Sequence, residues 1–258
     1  QEVVAETITN SIKADKIPNA YLFTGIRGIG KTTTARIVAK ALNCTNGIDN
    51  LCEENFCENC KAISNSSHID VLEMDAASKT GVDDIRDLIE FSRYGPSSSN
   101  YKIFIIDEVH MLSKQAFNGL LKTLEEPPSK LKFILATTEV KKIPVTILSR
   151  CQRFDLKRVS IDKIINHLNK ISKNENGKIS QKALKVIAQV SEGSVRDSIS
   201  LLDRALIFQN INTKNEVDDN DIRAMLGLAD KSKIINILKE VFEGNTKNAL
   251  SILRELLD

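Results

Sequence analysis

No run in this 258-residue sequence approaches the roughly 18 consecutive apolar residues that a membrane-spanning helix needs. It shows no signal-peptide pattern, so a cytoplasmic address is the default expectation and no membrane partner is expected. It also lacks a charge excess: 36 Lys and Arg face 34 Asp and Glu, and a net +2 is too small to argue for nucleic-acid binding by itself. There is no initial Met. The sequence starts at Gln1 and stops inside a helical pattern, which reads as a piece trimmed at both ends. What is present is ordinary for a globular chain, with 41% apolar and 27% charged residues, enough core for one large domain or two small ones. Five cysteines in a cytosolic chain point to metal binding or buried thiols rather than disulfides.

The stretch Gly25-Ile26-Arg27-Gly28-Ile29-Gly30-Lys31-Thr32, with Thr33 behind it, carries the phosphate-loop spacing of glycine, four residues, glycine, lysine and threonine. Tyr21 to Thr24 ahead of it reads as a buried strand, and Ala35, Val38, Ala39 and Leu42 behind it predict a helix starting near Lys31. Glycines let the backbone curl around phosphate oxygens, and the helix start adds unsatisfied N–H donors. Lys31 is expected to neutralise the outer phosphates of ATP, and the Thr32 hydroxyl to hold Mg²⁺. Ile103 to Ile106 is a continuous apolar run, the pattern of a strand buried on both faces, and it ends in Asp107-Glu108. Carboxylates at the end of such a strand sit where α/β sheets bind ligands, so Asp107 is expected to support Mg²⁺ and Glu108 to deprotonate the attacking water. Thr138, at the end of the strand from Phe133, is a weaker candidate for contact with the γ-phosphate or the water.

Between the loop and the second strand lie Cys44, Cys52, Cys57 and Cys60, with gaps of seven, four and two residues. The last gap lets two sulfurs meet one ion, and four thiolates suit a closed, structural Zn²⁺ site, with free thiols or a redox pair as the alternative. Residues 1–20 read as one helix stopping near Ile17-Pro18. Five strands alternating with helices predict a parallel, doubly wound α/β sheet. After about Arg158 only helical patterns remain. The stripes of Ile235, Leu238 and Phe242 and of Leu250, Leu253 and Leu257 have too few partners, so their packing partners are expected to lie outside the given sequence.

Phosphate loop, Asp107-Glu108, polar strand end and a helical module with Gly193-Ser194-Val195-Arg196-Asp197 together resemble the AAA+ ATPases. Ser149-Arg150-Cys151 is similar to the Ser-Arg-Cys motif of clamp loaders, and the cysteine insert resembles the zinc module of the bacterial DNA polymerase III gamma/tau family. The gap from Cys52 to Cys57 is longer than the compact repeat of that family. The resemblance implies an AAA+ P-loop core over residues 1–157 with a zinc module at 44–60, a three-helix lid at 158–216, and the start of a helical collar domain at 217–258. It implies that Arg150 is an arginine finger acting on ATP in the neighbouring subunit, that Arg196 is the lid sensor and that Thr138 is the first sensor. It further implies an ATP-hydrolysing motor whose partners are other clamp-loader subunits, a sliding clamp, and primer–template DNA held by its backbone. The adenine-contacting stretch of the family would lie before Gln1, so weakened nucleotide affinity is expected of this piece. Ser78-Lys79-Thr80, ahead of a helix, reads first as a solvated loop and second as a DNA phosphate contact. Two rivals remain at this stage. Asp107-Glu108-Val109-His110 has the form of a helicase motif, but no second sheet domain accompanies it, and a non-hydrolysing scaffold subunit is opposed by the intact Lys31, Thr32, Asp107 and Glu108.

Overall fold

The computed structural model describes residues 1–52, 56–78, 81–211, 216–227 and 231–257. The chain forms two compact units, residues 1–158 and 159–258. Among the described residues no helix is long and apolar enough to cross a membrane.

The first unit is built on five parallel strands: β1 (Ala20–Thr24), β2 (Val71–Asp75), β3 (Lys102–Asp107), β4 (Leu131–Thr137) and β5 (Gln152–Asp155), in the order β2-β3-β4-β1-β5. The three central strands are β3, β4 and β1, and their residues are buried on both faces apart from the last of β3, which is why they are continuous apolar runs in sequence. Side chains alternate across the sheet. Leu22, Phe104, Ile106, Phe133 and Leu135 meet Ile85 and Leu88 of α4 (Val82–Ser92) and Phe117, Leu120 and Leu124 of α5 (Lys114–Glu125). Tyr21 stacks with Phe154 and Phe23 meets it at a tilt, and α2 (Lys31–Asn43) buries Ala35, Val38, Ala39 and Leu42 and packs on β1, β3 and β4. The helices thus cover the sheet and leave the C-terminal ends of β1, β4 and β3 side by side. That is the crevice in which open α/β sheets take ligands.

The first helix is shorter than its pattern predicts. α1 (Glu2–Lys13) ends before Ile17-Pro18 because Asp15 turns left-handed, at φ 52°. There the Lys16 N–H returns to the Ser11 carbonyl and the Asp15 N–H to that of Ile12, which closes the helix ahead of the proline.

Two buried lysines and one buried aspartate organise the opposite edge of the sheet. Lys102 donates to the carbonyls of Phe91 and Tyr94 at 3.0 and 2.9 Å, closing the end of α4, and Lys132 donates to Ile17 O and Asn19 Oδ1 at 3.2 and 2.9 Å. Asp70, just before β2, accepts from the N–H groups of Ser97 and Ser98 and the hydroxyls of Ser98 and Ser99 at 2.8–3.1 Å. This makes the 96–100 loop a fixed entry to β3. Burial pushes the Asp70 carboxyl up, but the backbone donors of Ser97 and Ser98 and the hydroxyls of Ser99 and Ser98 more than reverse it, so its pKa is lowered. A lowered folded pKa adds stability above the unfolded value of about 3.9 that is lost as pH falls through the folded value. Asp70→Asn is therefore expected to cost about 3 kcal/mol at neutral pH. Urea unfolding should show the gap between wild type and variant closing on acidification, and a constant gap would exclude this role.

The second unit is helical: α7 (Ile161–Asn174), α8 (Gln181–Val190), α9 (Val195–Ile211), α10 (Asp219–Met225), α11 (Lys231–Phe242) and α12 (Thr246–Leu257), with α3 (Glu58–Ser64) and α6 (Val145–Leu148) belonging to the first unit. Ser180 caps α8 by accepting from Ala183 N–H. The core joins Ile164 and Leu168 to Leu184, Ile187, Leu202 and Ala205, and also takes in Val217 and Ile222. Residues 212–215, between α9 and α10, lie outside the described residues. α11 and α12 pack on each other and leave Ile235, Leu238, Phe242, Leu250 and Leu253 exposed.

Candidate functional site

The loop of residues 25–30 joins β1 to α2, and its glycines are there for conformational reasons. Gly28 and Gly30 take φ of 75° and 100°, and a Cβ on Gly25 would stand 2.9 Å from the Leu156 carbonyl. Ile29 is buried and pins the loop to the unit, while Arg27 and Thr33 are exposed. Lys31 opens α2 and is only 5% exposed. Its Nζ donates to the carbonyls of Gly25 and Ile26, both at 3.2 Å, and lies 3.9 Å from Glu108 Oε1. Burial pushes its pKa down, and Glu108 and Asp107 hold it up in part. A buried ammonium bonded to two neutral carbonyls, with the nearest carboxylate only at the edge of ion-pair range, is short of anionic charge.

β3 delivers the acidic side of the crevice. Asp107 Oδ2 accepts from the Thr32 hydroxyl, and its Oδ1 accepts from the Glu108 N–H at 2.9 Å. Glu108 is left-handed at φ 45°, a strained position for a residue with a side chain. Its Oε2 accepts from both the N–H and the hydroxyl of Thr138, at 3.1 and 3.0 Å. The structure thus brings Lys31, Thr32, Asp107, Glu108 and Thr138 together at the ends of three adjacent strands. A hydroxyl and a carboxylate in contact form an oxygen-only pair of the kind hard divalent cations take. With the glycine turns and the buried ammonium, this donor set fits a nucleotide triphosphate with magnesium.

One buried polar residue here had no assigned role in the sequence reading. The His110 side chain is 6% exposed. Its Nδ1 lies 3.0 Å from Thr137 Oγ1 and 3.4 Å from Glu108 Oε2, and its Nε2 lies 3.5 Å from Glu139 Oε1. The Asp-Glu-x-His pattern was its signal, but that pattern speaks of helicases and not of a buried ring between two carboxylates.

Arg150 has partners outside this group, and Arg196 belongs to the second unit. Arg150, after α6, donates to Glu125 Oε1, to the Thr146 carbonyl at 2.6 Å and to Ser149 Oγ at 3.2 Å, with a third of its side chain exposed. Arg196 is exposed on the first turn of α9 in the second unit, after the left-handed Gly193. In the stretch Ser78-Lys79-Thr80, the Ser78 hydroxyl donates to Asp75 O at 3.0 Å, and Lys79 and Thr80 lie outside the described residues.

The cysteines converge. Cys44 ends α2 and Cys57 caps α3, while residues 53–55 between Cys52 and Cys57 lie outside the described residues. The sulfurs of Cys44, Cys52, Cys57 and Cys60 all lie within 4.8 Å of one another, and those of Cys44 and Cys52 are 3.6 Å apart. A tetrahedral site with Zn–S of about 2.3 Å needs sulfurs about 3.8 Å apart, so the cluster fits the ion. Backbone donors already face it, with Cys57 N–H on Cys52 Sγ at 3.4 Å and Cys60 N–H on Cys57 Sγ at 3.5 Å. Burial pushes the Cys57 thiol up, but hydrogen bonds from Thr45 and Cys60 outweigh it and bring the pKa to about 6, whereas burial and its thiol neighbours raise that of Cys60.

Comparison with known proteins relates the chain to subunits of DNA polymerase III. Residues 1–160 match the family model of the DNA polymerase III delta subunit, residues 163–210 that of the ATPase lid domain of the DNA polymerase III clamp loader subunit, and residues 217–258 that of domain III of DNA polymerase III subunits gamma and tau. The chain is 46% identical to DNA polymerase III subunit tau of Bacillus subtilis over its whole length, covering 45% of that protein. It is 41% identical to the tau subunit of Escherichia coli K12 over 99% of its length, covering 39% of that protein. Against DNA polymerase III subunit gamma of Buchnera aphidicola subsp. Baizongia pistaciae it is 43% identical over its whole length and covers 68% of the relative. The chain thus spans under half the length of the tau relatives. A solved structure titled the Thermotoga maritima RuvB Holliday junction branch migration motor shares the fold, with TM-score 0.65 and 18% identity over 95% of this chain and 77% of that one. Parallel sheet, phosphate loop, lid and third helical segment all align with one set of relatives, and the chain belongs to the gamma/tau family of DNA polymerase III clamp-loader subunits.

Proposed function

We propose that this chain is the ATP-hydrolysing motor part of a clamp-loader subunit that places a sliding clamp on primed DNA. The observation that carries the reading is the meeting of buried Lys31, the Thr32–Asp107 pair and Glu108 at the ends of β1 and β3. In this reading residues 1–157 are the ATPase domain with the 44–60 module, residues 158–216 the lid and residues 217–258 the start of the collar. Residues 25–33 wrap the triphosphate, and Lys31 leaves its two carbonyl partners for the outer phosphates. Thr32 and Asp107 would hold Mg²⁺, which would supply charge neutralisation to the phosphates. Glu108 takes a proton from water as its oxygen bonds to the γ-phosphorus. The bridging β–γ bond breaks with its electron pair leaving on ADP. Thr138 holds Glu108 and turns toward the γ-phosphate once nucleotide is bound. Arg196 contacts the nucleotide of its own subunit, and Cys44, Cys52, Cys57 and Cys60 would hold zinc as a structural ion.

Arg150 acts on the neighbour. Its present partners are on one surface, where an exposed pair with Glu125 is worth little by itself, and it is re-aimed at the charge growing on the γ-phosphoryl group next door. Partners are the other clamp-loader subunits, the clamp, and primer–template DNA contacted through its phosphates, in the cytoplasm. The test is a reconstituted complex in which only this chain carries Arg150→Ala. Turnover at the neighbouring sites should fall by about 10³-fold or more, while the affinity of the variant chain for a fluorescent ATP analogue stays at the wild-type value. Unchanged turnover would remove Arg150 from the mechanism.

A further inference from the structure

We infer that His110 is a positioning residue for Glu108, setting the direction in which that carboxylate faces the crevice. The inference rests on the reading of Glu108 as the group that receives the proton of water. Glu108 alone does not define its own orientation: it follows β3 on a left-handed backbone, and Thr138 holds only its Oε2. His110 Nδ1 lies 3.4 Å from the same oxygen.

The ring is itself held from both ends. Thr137 Oγ1, which accepts the Glu139 N–H at 3.0 Å, meets Nδ1 at 3.0 Å. Glu139 Oε1 faces Nε2 at 3.5 Å and is anchored by Lys142 at 2.8 Å. Residues 137–139 therefore grip both partners, Thr138 on the carboxylate and Thr137 and Glu139 on the imidazole. The end of β4 is the template against which the end of β3 is aligned. If the position only needed its volume filled, an apolar ring would do so without a desolvation cost. Losing the ring opens a water-sized gap beside Oε2 and frees the carboxylate to rotate. That harms the chemical step, which depends on placement within a fraction of an ångström, and leaves phosphate binding at the loop untouched.

The test compares His110→Ala, His110→Asn and His110→Gln in the reconstituted complex with clamp and primed DNA, measuring kcat and KM for ATP and the Kd of a fluorescent ATP analogue. His110→Ala should lower kcat by about 10- to 100-fold with KM and Kd within about twofold of wild type. Asparagine places its amide where Nδ1 lies and should recover kcat to within about threefold, whereas glutamine, which reaches toward the Nε2 position, should not. The inference is overturned if His110→Ala keeps the wild-type kcat, or if all three variants lose activity equally together with thermal stability. Lys31→Ala run alongside separates this failure from that of the nucleotide site. Wild-type turnover in Lys31→Ala sinks the site and the inference together, while loss in Lys31→Ala with full kcat in His110→Ala sinks the inference alone.

Discussion

Replacing Lys31 with alanine is expected to lower ATP turnover at this chain's own sites by about 10²–10³-fold, the usual loss when one preorganised donor to developing charge is removed from a closed site. The structure sets the sign of a second effect. The Lys31 ammonium is 5% exposed and its pKa is lowered by burial, so folding disfavours its charged form. At any pH below the folded pKa, keeping the charged lysine buried therefore costs stability, and removing it relieves that cost. Two loop carbonyls lose their donor at the same time, those of Gly25 and Ile26, but this loop is open to water. The nucleotide-free variant should therefore melt at or above the wild-type temperature while binding ATP weakly and turning it over slowly. A lysine held for function at the expense of stability behaves this way. A structural lysine would show the reverse, with lower melting temperature and intact turnover, and that outcome would refute the assignment.

Removing zinc should have the largest effect on folding. Structural zinc sites of this kind bind with about 10–16 kcal/mol, and where no preformed site exists in the unfolded chain that energy is folding energy. α3 is seven residues long, with Cys60 and Ile63 as its buried side chains, so its own packing on α2 is small beside that energy. Four sulfurs gathered within 4.8 Å would repel one another as thiolates without a cation. Chelation, or Cys60→Ser, is therefore expected to abolish amide protection over α3 while protection of β3 and β4 persists. The metal-loaded chain should also shield Cys44, Cys52, Cys57 and Cys60 from thiol reagents. A metal-free chain that keeps α3 protected would show the cluster to be a set of free thiols.

The parts legible in the sequence were those where one local rule dominates. The apolar run from Ile103 to Ile106 had to be a doubly buried strand, and the start of α2 at Lys31 followed from glycine spacing and the stripe of Ala35, Val38, Ala39 and Leu42. The cysteine cluster was legible as a group because spacing limits where two sulfurs can go. The rest depended on distant partners. The end of α1 at Lys13 hinges on the left-handed Asp15, for which aspartate in sequence is only a weak signal. Strand order β2-β3-β4-β1-β5 is a property of packing and not of any one segment. Asp70 with Ser97 to Ser99, Lys132 with Ile17 and Asn19, and His110 with Thr137 and Glu139 join residues that periodicity cannot pair. For the same reason Glu125 as the partner of Arg150 was invisible until α5 and α6 were seen to pack together.

The most direct measurement is a high-resolution structure of the assembled complex with a non-hydrolysable ATP analogue and magnesium. The account predicts the triphosphate in the loop of residues 25–33 with Lys31 Nζ turned from the Gly25 and Ile26 carbonyls onto phosphate oxygens, a cation between Thr32 and Asp107, and Arg150 of the adjoining subunit at the γ-phosphate. An intact, assembled complex with Lys31 still on those two carbonyls and no nucleotide in the loop would contradict it.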